Sequence, residues 1–360
     1  MTFQIPEMAR YKKRLAALIA AGLIITQSGC GNNAAQPDFS SGEDYLLNTY
    51  CTLTIYEPGR EDLIREAFLY ARSLENLLSR TIEGSEVSAF NRSEAGQPVP
   101  LSGEAAAVIE RGLYYSQLSE GLFDITLGTL TELWDFSAAE PSVPPQKEIE
   151  AALQTIGYRT VSMAWDADRS GASITKENKD THIDLGGIAK GYIADRVKDF
   201  LAEKGVGSAL INFGGNVLIL GGKEDGTPWL IGVEKPYFAG DNEEQLRELS
   251  GEIAVTRGSV VTSGSYERKF TEDGKLYYHI LVPAIGYPRV TDVVSVSVTG
   301  PVSADCDALS TICLMLGLEK GLSLIEGLES YEAVFIAEDG GITVTSGAQF
   351  TPYDDMERTE

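Results

Sequence analysis

The residues best suited to chemistry stand in one short stretch, HIDLGGIAKGY, at positions 182–192. Asp184 closes an apolar run, Gly186 and Gly187 follow, and Lys190 falls in the first turn of a predicted helix. That turn carries a partial positive charge and the pattern offers Lys190 no evident protein partner, so its ammonium needs an anion or must reach solvent. A phosphate resting on the helix N-terminus would supply the anion. The alternative is that Lys190 extends to solvent and the glycines only shape a turn.

A second polar pair interrupts an otherwise apolar predicted helix at residues 307–317. Asp307 and Thr311 are four residues apart and therefore share one helix face. A carboxylate and a hydroxyl are hard oxygen ligands that suit Mg²⁺ or Ca²⁺. The alternative is an acid favoured by the helix dipole and a threonine that bonds its own i−4 carbonyl. The pattern alone leaves both interpretations open.

The only histidines are His182 and His279. His279 lies in YYHILVPAIGYP (277–288), at the end of a predicted strand and before a Gly- and Pro-containing turn, where catalytic side chains often emerge. An imidazole that titrates near ~6.5 can accept a proton at neutral pH, although a lone histidine is more often structural. His182 receives no assigned role.

The composition limits the classes of ligand. With 53 acidic and 29 basic residues the net charge is −24, which argues against binding to a nucleic-acid backbone or to anionic lipid by general electrostatics. An anionic ligand must therefore be held by a local site. Beyond Cys30 only Cys51, Cys306 and Cys313 remain, without C-x-x-C spacing, and they are predicted to be small buried apolar residues.

The N-terminus has the features of an export signal. A basic segment, RYKKR (10–14), precedes an apolar run, LAALIAAGLII (15–25), that is too short to span a bilayer. The following TQSGC resembles a bacterial lipoprotein cleavage box, which predicts a signal peptide over residues 1–29 and lipidation at Cys30. We expect a flexible tether over 30–42, a folded domain over 43–355, and an exported, membrane-anchored lipoprotein that faces the extracytoplasmic side.

The folded part mixes helices and strands without a regular βαβ alternation, which predicts a single α+β domain rather than a doubly wound sheet. Apolar residues at helical spacing predict helices at 60–80, 103–120 and 188–204. Strands are predicted at 46–57, within 207–222, at 228–236 and 292–298, with a hairpin around residues 272–274.

Several blocks resemble, in order and spacing, the bacterial FAD:protein FMN transferases of the ApbE family. They are DLGGIAKGYIADRV, ALINFGGNV, WLIGVEKP, VVTSGSYERKF, YYHILVPAIGYP and DALST, preceded by LNTYCTLTIY, SEVSAFNRS and EGLFDITLGTLTELWDF. The resemblance covers about residues 44–350. It implies a single mixed α+β domain of the ApbE flavin transferase type, after the lipoprotein signal peptide.

The resemblance also implies an activity and its residues. The family's enzymes bind FAD with Mg²⁺ and transfer its FMN half to a threonine or serine hydroxyl of a partner redox protein, releasing AMP. The positions that match the FAD site are Leu47, Leu122, Phe123, Asp124, Asp184 and Lys190. The positions that match the metal site are the Gly187 carbonyl, Asp307 and Thr311. His279 matches the histidine proposed as general base for the acceptor hydroxyl.

One departure from the family pattern affects the activity. The family's usual turn after the histidine has an aspartate and a threonine where this chain has Val282 and Ile285. Two further functions stay open. One is an FAD pyrophosphatase that gives FMN and AMP when water replaces the protein hydroxyl, and the other, which this departure favours, is a lipoprotein that binds FAD without catalysis.

Overall fold

The structure, a computed structural model, describes residues 38–223, 225–236 and 248–353. Its strands are β1 (Ser40–Leu46), β2 (Thr49–Ile55), β3 (Val99–Ser102), β4 (Val161–Trp165), β5 (Gly171–Lys176), β6 (Ala209–Phe213), β7 (Asn216–Leu220), β8 (Trp229–Glu234), β9 (Leu249–Val255), β10 (Gly258–Gly264), β11 (Lys269–Glu272), β12 (Lys275–Tyr278), β13 (Leu281–Val282), β14 (Tyr287–Pro288), β15 (Val293–Gly300), β16 (Glu332–Ala337), β17 (Ile342–Val344) and β18 (Phe350–Pro352). Its α-helices are α1 (Glu61–Leu78), α2 (Glu86–Asn91), α3 (Gly103–Leu118), α4 (Gly128–Trp134), α5 (Gln146–Leu153), α6 (Ala189–Glu203), α7 (Ser303–Leu316) and α8 (Leu318–Glu326).

Eight strands form one large sheet in the order β1-β2-β6-β7-β10-β15-β16-β17. Each neighbouring pair in it is antiparallel, so the strands need no βαβ crossovers. Helices α1, α6 and α7 pack against this sheet and against one another. This arrangement confirms the predicted single α+β domain and differs from a doubly wound sheet.

The two faces of the large sheet pack differently, as the alternation along β16 shows. Ala333 and Phe335 belong to the main core under the helices, whereas Val334 and Ile336 belong to a second apolar cluster. That second cluster includes Val233 of β8 and so involves the three-stranded sheet β18-β9-β8. The large sheet is therefore covered by helices on one face and, in part, by a small sheet on the other.

The helix predictions are confirmed to within a few residues for α1, α3 and α6. In α1 the buried positions include Ile64, Ala67, Ala71 and Leu74, which lie on one stripe of the helix. The hairpin around residues 272–274 is also confirmed, because β11 and β12 pair through Glu272 and Lys275.

The prediction of a single strand at 46–57 is wrong. The segment contains only the end of β1 and all of β2, which form a hairpin in which Leu46 faces Thr49. Leu47 and Asn48 make the turn at φ angles of 53° and 57°, a left-handed conformation that leucine rarely adopts. Without a glycine at the turn, the sequence carried no strong hairpin signal.

Two predicted boundaries also change. Strand β1 begins at Ser40, where the Ser40 hydroxyl bonds the Glu57 carbonyl, so the predicted tether cannot extend to residue 42. Helix α7 begins at Ser303 rather than at Asp307, because the carboxylate of Asp195 accepts hydrogen bonds from the amides of Ser303 and Ala304.

Cys51, Cys306 and Cys313 are free and buried, as predicted, and burial raises the pKa of the Cys51 thiol to about 12. Within the described ranges, no helix is both long and apolar enough to cross a bilayer. The predicted signal peptide, Cys30 and residues 30–37 of the predicted tether lie outside the described residues.

Candidate active site

A close crossing of α6 and α7 positions the candidate site. A Cβ on Gly191 would lie 2.3 Å from the carbonyl oxygen of Ser303, so only glycine permits this approach. One turn later, Asp195 accepts hydrogen bonds from the amides of Ser303 and Ala304 at 3.1 and 3.0 Å. These contacts fix the start of α7 against the first half of α6.

The crossing brings together Lys190 and Asp307, which are 117 residues apart in the sequence. The Lys190 Nζ lies 3.2 Å from Asp307 Oδ1, and the Gly191 amide donates to Asp307 Oδ2 at 3.0 Å. The side chain of Asp307 is 3% exposed and that of Lys190 is 29% exposed. The expectation that Lys190 lacks a protein partner is therefore wrong, since the partner comes from a distant helix.

Thr311 lies one turn after Asp307 in α7. Its hydroxyl is 3.2 Å from the Asp307 carbonyl oxygen, as the structural alternative expects, and also 3.2 Å from the Ser263 hydroxyl. Asp307 is the fifth residue of α7, beyond the first turn, so the dipole explanation does not account for its carboxylate. The structure thus bears out the threonine part of that alternative and disfavours the aspartate part.

The donors in this region suit a hard divalent cation by their chemistry. The Asp307 carboxylate, the Thr311 hydroxyl and the Gly187 carbonyl are all oxygen donors. In the part of the chain that the structure describes, no group of three or more His, Cys, Asp or Glu residues is arranged for a metal. A cation here would depend on one carboxylate and neutral oxygens, which leaves coordination positions for water and phosphate.

The turn before α6 is shaped by Asp184 and two glycines. Asp184 Oδ1 accepts a hydrogen bond from the Gly186 amide at 2.8 Å. A Cβ on Gly187 would lie 2.8 Å from the ring of Phe123, so the glycine lets the turn pack on that buried aromatic ring. Phe123 and Gly187 were predicted for different parts of the site, and the structure places them in contact.

Both carboxylate oxygens of Asp124 accept hydrogen bonds from within the protein. Its Oδ1 accepts hydrogen bonds from the amide and hydroxyl of Thr126, and its Oδ2 accepts one from the Tyr158 amide at 3.0 Å. Burial raises the pKa of this carboxyl group. Its side chain therefore shapes the segment that carries the half-buried Leu122 and the buried Phe123.

His279 follows directly after β12, and its amide donates to the Arg268 carbonyl at 3.0 Å. Its Nδ1 is buried and has no hydrogen-bond partner among the described residues. Burial, reinforced by the positive charges of Arg268 and Lys190, lowers the pKa of His279 to about 3. The expected titration near neutral pH is therefore wrong for this structure, because the sequence does not report how far a side chain is removed from water.

Leu47 reaches the same region through the β1–β2 turn. Its amide donates to Glu75 Oε1 at 2.7 Å, and the next residue, Asn48, accepts a hydrogen bond from Arg268 at 3.4 Å. Arg268 thus links the turn of Leu47 to His279. Sequence reasoning missed Arg268, although its place in YERK, within one of the family blocks, could have singled it out.

The chain is similar to known proteins over most of its length. A family model described as the ApbE family matches residues 47–335. An FAD:protein FMN transferase from Klebsiella pneumoniae is 34% identical over 311 residues, which cover 86% of this chain and 93% of the relative. One from Treponema pallidum is 32% identical over 336 residues, which cover 88% of this chain and 90% of the relative.

Solved structures agree with this similarity. The crystal structure of the ApbE protein from Thermotoga maritima has a TM-score of 0.76 and 30% identity, and the match covers 86% of this chain and 97% of that one. The α+β fold and its site define an enzyme of the flavin transferase class. The chain belongs to the ApbE family.

Proposed function

We propose that this protein transfers FMN from FAD to a threonine or serine hydroxyl of a partner redox protein, in a Mg²⁺-dependent reaction that releases AMP. The observation that carries the proposal is the 3.2 Å contact between Lys190 and Asp307 at the α6–α7 crossing. It joins a cation suited to phosphate with a carboxylate suited to a metal, close enough to His279 for the charge of Lys190 to lower that residue's pKa.

The reaction exchanges one phosphorus–oxygen bond for another without oxidation or reduction. The acceptor hydroxyl oxygen bonds to the phosphorus of the FMN half, and the bond from this phosphorus to the bridging oxygen breaks. AMP leaves with the bridging oxygen, and the acceptor proton passes to His279. Lys190 neutralises charge on the pyrophosphate, where such charge would otherwise oppose the incoming oxygen.

The binding of FAD should change the pKa of His279. Lys190 and Arg268 add to the effect of burial and oppose the imidazolium form. A bound pyrophosphate would offset part of this positive charge and raise the pKa of His279 in part, while burial, the largest cause of the shift, would remain. The base would then be stronger when substrate is present than when it is absent.

The metal would be held by Asp307, Thr311 and the Gly187 carbonyl. When bound, Mg²⁺ supplies charge stabilisation on the pyrophosphate oxygens. With the Asp307 carboxylate holding the metal, Lys190 would be free to pair with the phosphate. FAD and Mg²⁺ should therefore bind better together than separately.

Val282 and Ile285 are the observation that favours the non-catalytic alternative, whereas the pyrophosphatase would need only water in place of the acceptor hydroxyl at the same site. Val282 is buried in β13, opposite Tyr287 of β14, and Ile285 is 50% exposed at the turn between them. Neither side chain can replace the polar groups that the family pattern places there. Weak transfer with retained FAD binding would be the result if those groups are essential.

The experiment is incubation of the full chain with FAD, Mg²⁺ and candidate acceptor proteins, followed by mass spectrometry of the acceptor and measurement of AMP. An FMN adduct with an equal amount of AMP supports the transferase. AMP and free FMN without an adduct indicate the pyrophosphatase. FAD binding with neither product indicates the non-catalytic lipoprotein.

We also propose that the protein is exported and anchored by a lipid on Cys30, on the extracytoplasmic side. The basic and apolar segments before Cys30 support this proposal. Cys30→Ala should release the protein from membranes. Retention of that variant in the membrane with its complete N-terminus would instead identify the leader as an anchor.

A further inference from the structure

A cluster of charged side chains lies next to the turn of Gly186 and Gly187, called the glycine turn below. It contains Arg80, which is not among the predicted site residues. Arg80 follows the end of α1, and its Nε lies 3.0 Å from Asp184 Oδ2. Its Nη1 lies 3.7 Å from Glu132 Oε1 on α4, and Glu132 in turn contacts His182 Nδ1 at 3.2 Å. The side chains of Arg80 and Asp184 are 23% and 16% exposed, so the pair is shielded from much of the solvent.

The backbone on both sides of this pair is held firmly. Asn91 bonds both the amide and the carbonyl of Ile183, and the Asp184 amide donates to the Ile125 carbonyl at 2.8 Å. On the other side, the Ser85 hydroxyl donates to the Ser79 carbonyl, one residue before Arg80. The position of the Asp184 carboxylate is therefore set mainly by what its two oxygens contact.

Those two oxygens have different partners. Oδ1 accepts the Gly186 amide at 2.8 Å and so sets the conformation of the turn, while Oδ2 pairs with Arg80. An unpaired carboxylate at this place would also repel the phosphates of a ligand at the start of α6. Arg80 thus both orients the carboxylate and offsets its charge.

We propose that Arg80 is a positioning residue for flavin transfer, which acts through Asp184 to fix the Gly186 turn and make it compatible with FAD. This inference rests on the proposed function for its substrate. It assigns Arg80 no contact with the reacting atoms.

The test compares Arg80→Met with Arg72→Met. Arg72 also belongs to the α1 segment and forms one ion pair, with Asp44 at 2.9 Å, but that pair contacts the β1 strand and not the glycine turn. Arg80→Met should raise the Kd and the KM for FAD by about tenfold, the usual range for losing a charge-assisted hydrogen bond, and leave kcat within about twofold. Arg72→Met should leave all three unchanged. A lower kcat at unchanged KM would overturn the inference.

A double variant separates positioning from direct binding. If Arg80 acts through Asp184, adding Arg80→Met to Asp184→Asn should weaken FAD binding by less than about twofold beyond Asp184→Asn alone. A full additional tenfold loss would mean that Arg80 binds FAD itself, and the inference would be wrong. Arg80→Lys, which keeps the charge without the planar guanidinium group, should recover part of the affinity.

A readout without flavin keeps this inference separable from the proposed function. Hydrogen exchange of the Gly186 amide should be about tenfold faster in Arg80→Met than in the unmodified chain or Arg72→Met, because its acceptor is no longer held. Unchanged exchange would refute the inference whatever the flavin assays give. Faster exchange in a chain that binds no FAD would support the positioning role and reject the proposed function alone.

Discussion

Two buried aspartates, two residues apart in α7, are neutralised in different ways. Asp305 lies between both arms of the Arg111 guanidinium and the Tyr331 hydroxyl, which is 2.5 Å from Oδ2. Its hydrogen bond raises the pKa of Arg111 above the usual range. Asp307 has one backbone amide and one ammonium, from Gly191 and Lys190.

The difference lies in how easily each partner can leave. The Arg111 fork and the Tyr331 hydroxyl occupy both oxygens of Asp305 from three directions, which suits a permanent structural contact. Lys190 reaches Asp307 through a flexible stem, makes a single contact and is part-exposed. Helix α7 thus carries the Asp305 carboxylate, whose partners form a permanent structural contact, and the Asp307 carboxylate, whose ammonium partner can leave.

The strongest test of this comparison removes each charge in turn. Asp307→Asn should lower AMP release by at least about 100-fold, because the proposed Mg²⁺ site would lose its carboxylate ligand, while the free energy of unfolding changes by about 1 kcal/mol or less. Asp305→Asn should lower the free energy of unfolding by about 2 kcal/mol, since Arg111 is part-exposed and can regain water, and leave turnover per folded molecule unchanged. Urea unfolding and Mg²⁺-dependent AMP yield measure both effects. Normal turnover in a destabilised Asp307→Asn protein would reverse the assignments.

The second test disturbs the contacts that Asp307 makes with α6 and is not aimed at those of Asp305. In Gly191→Ala the new methyl group would meet the Ser303 carbonyl, which should push α6 from α7 and lower the free energy of unfolding by about 1–3 kcal/mol. FAD binding should weaken as Lys190 and Asp307 separate. Gly84→Ala is the control, since a Cβ there meets nothing within 4 Å. Equal thermal midpoints for the two variants would show that the crossing tolerates separation.

The third test concerns the exchangeable cation itself. Lys190→Met keeps the stem and removes the charge, so the Kd for FAD should rise by about tenfold or more, and the thermal midpoint should fall because the buried Asp307 carboxylate loses its counter-charge. Fluorescence titration with FAD and a thermal scan check this. Unchanged affinity for FAD would return Lys190 to a purely structural interpretation.

The final test concerns the pH dependence of stability at His279. Because the pKa of His279 falls to about 3 on folding, the unfolded chain binds the extra proton between about pH 6.5 and 3. His279 therefore costs nothing above pH 6.5 and lowers stability progressively as the pH falls below it, by at most about 3 kcal/mol at pH 4.5. His279→Asn should lose less stability than the unmodified chain between pH 7 and 4.5 in urea unfolding. Parallel curves would contradict the low pKa.

Sequence patterns predicted the parts of the site that depend on local periodicity. The helix after the two glycines follows from apolar spacing, and its start places Lys190 correctly. The partner of Lys190 could not be predicted, because the Asp307 carboxylate is brought near by helix packing across 117 residues. The environment of His279 is likewise a property of burial, which its neighbours in sequence do not encode.

The same limit applies to turns and to supporting residues. The Leu47–Asn48 turn carries no glycine, so the chain gave no sign that a strand should reverse there. Arg80 stands in a short segment after α1 that carries no motif, and only the fold shows that it meets Asp184. The resemblance to a family supplied site positions, and the structure supplied their contacts.

The pairing of β2 with β6 has a consequence for how the chain folds during its synthesis. Cys51 faces Phe213 across this pair, so the strand that joins the first hairpin to the rest of the large sheet is made about 160 residues later. Contacts between such distant segments carry a loop-closure cost that slows folding. A nascent chain that ends before α7 would leave β7, β10 and β15 without the helix that packs on them, and it would lack Asp307, the partner of Lys190 and Gly191. We expect such a chain to depend on chaperones until its last third has been synthesised.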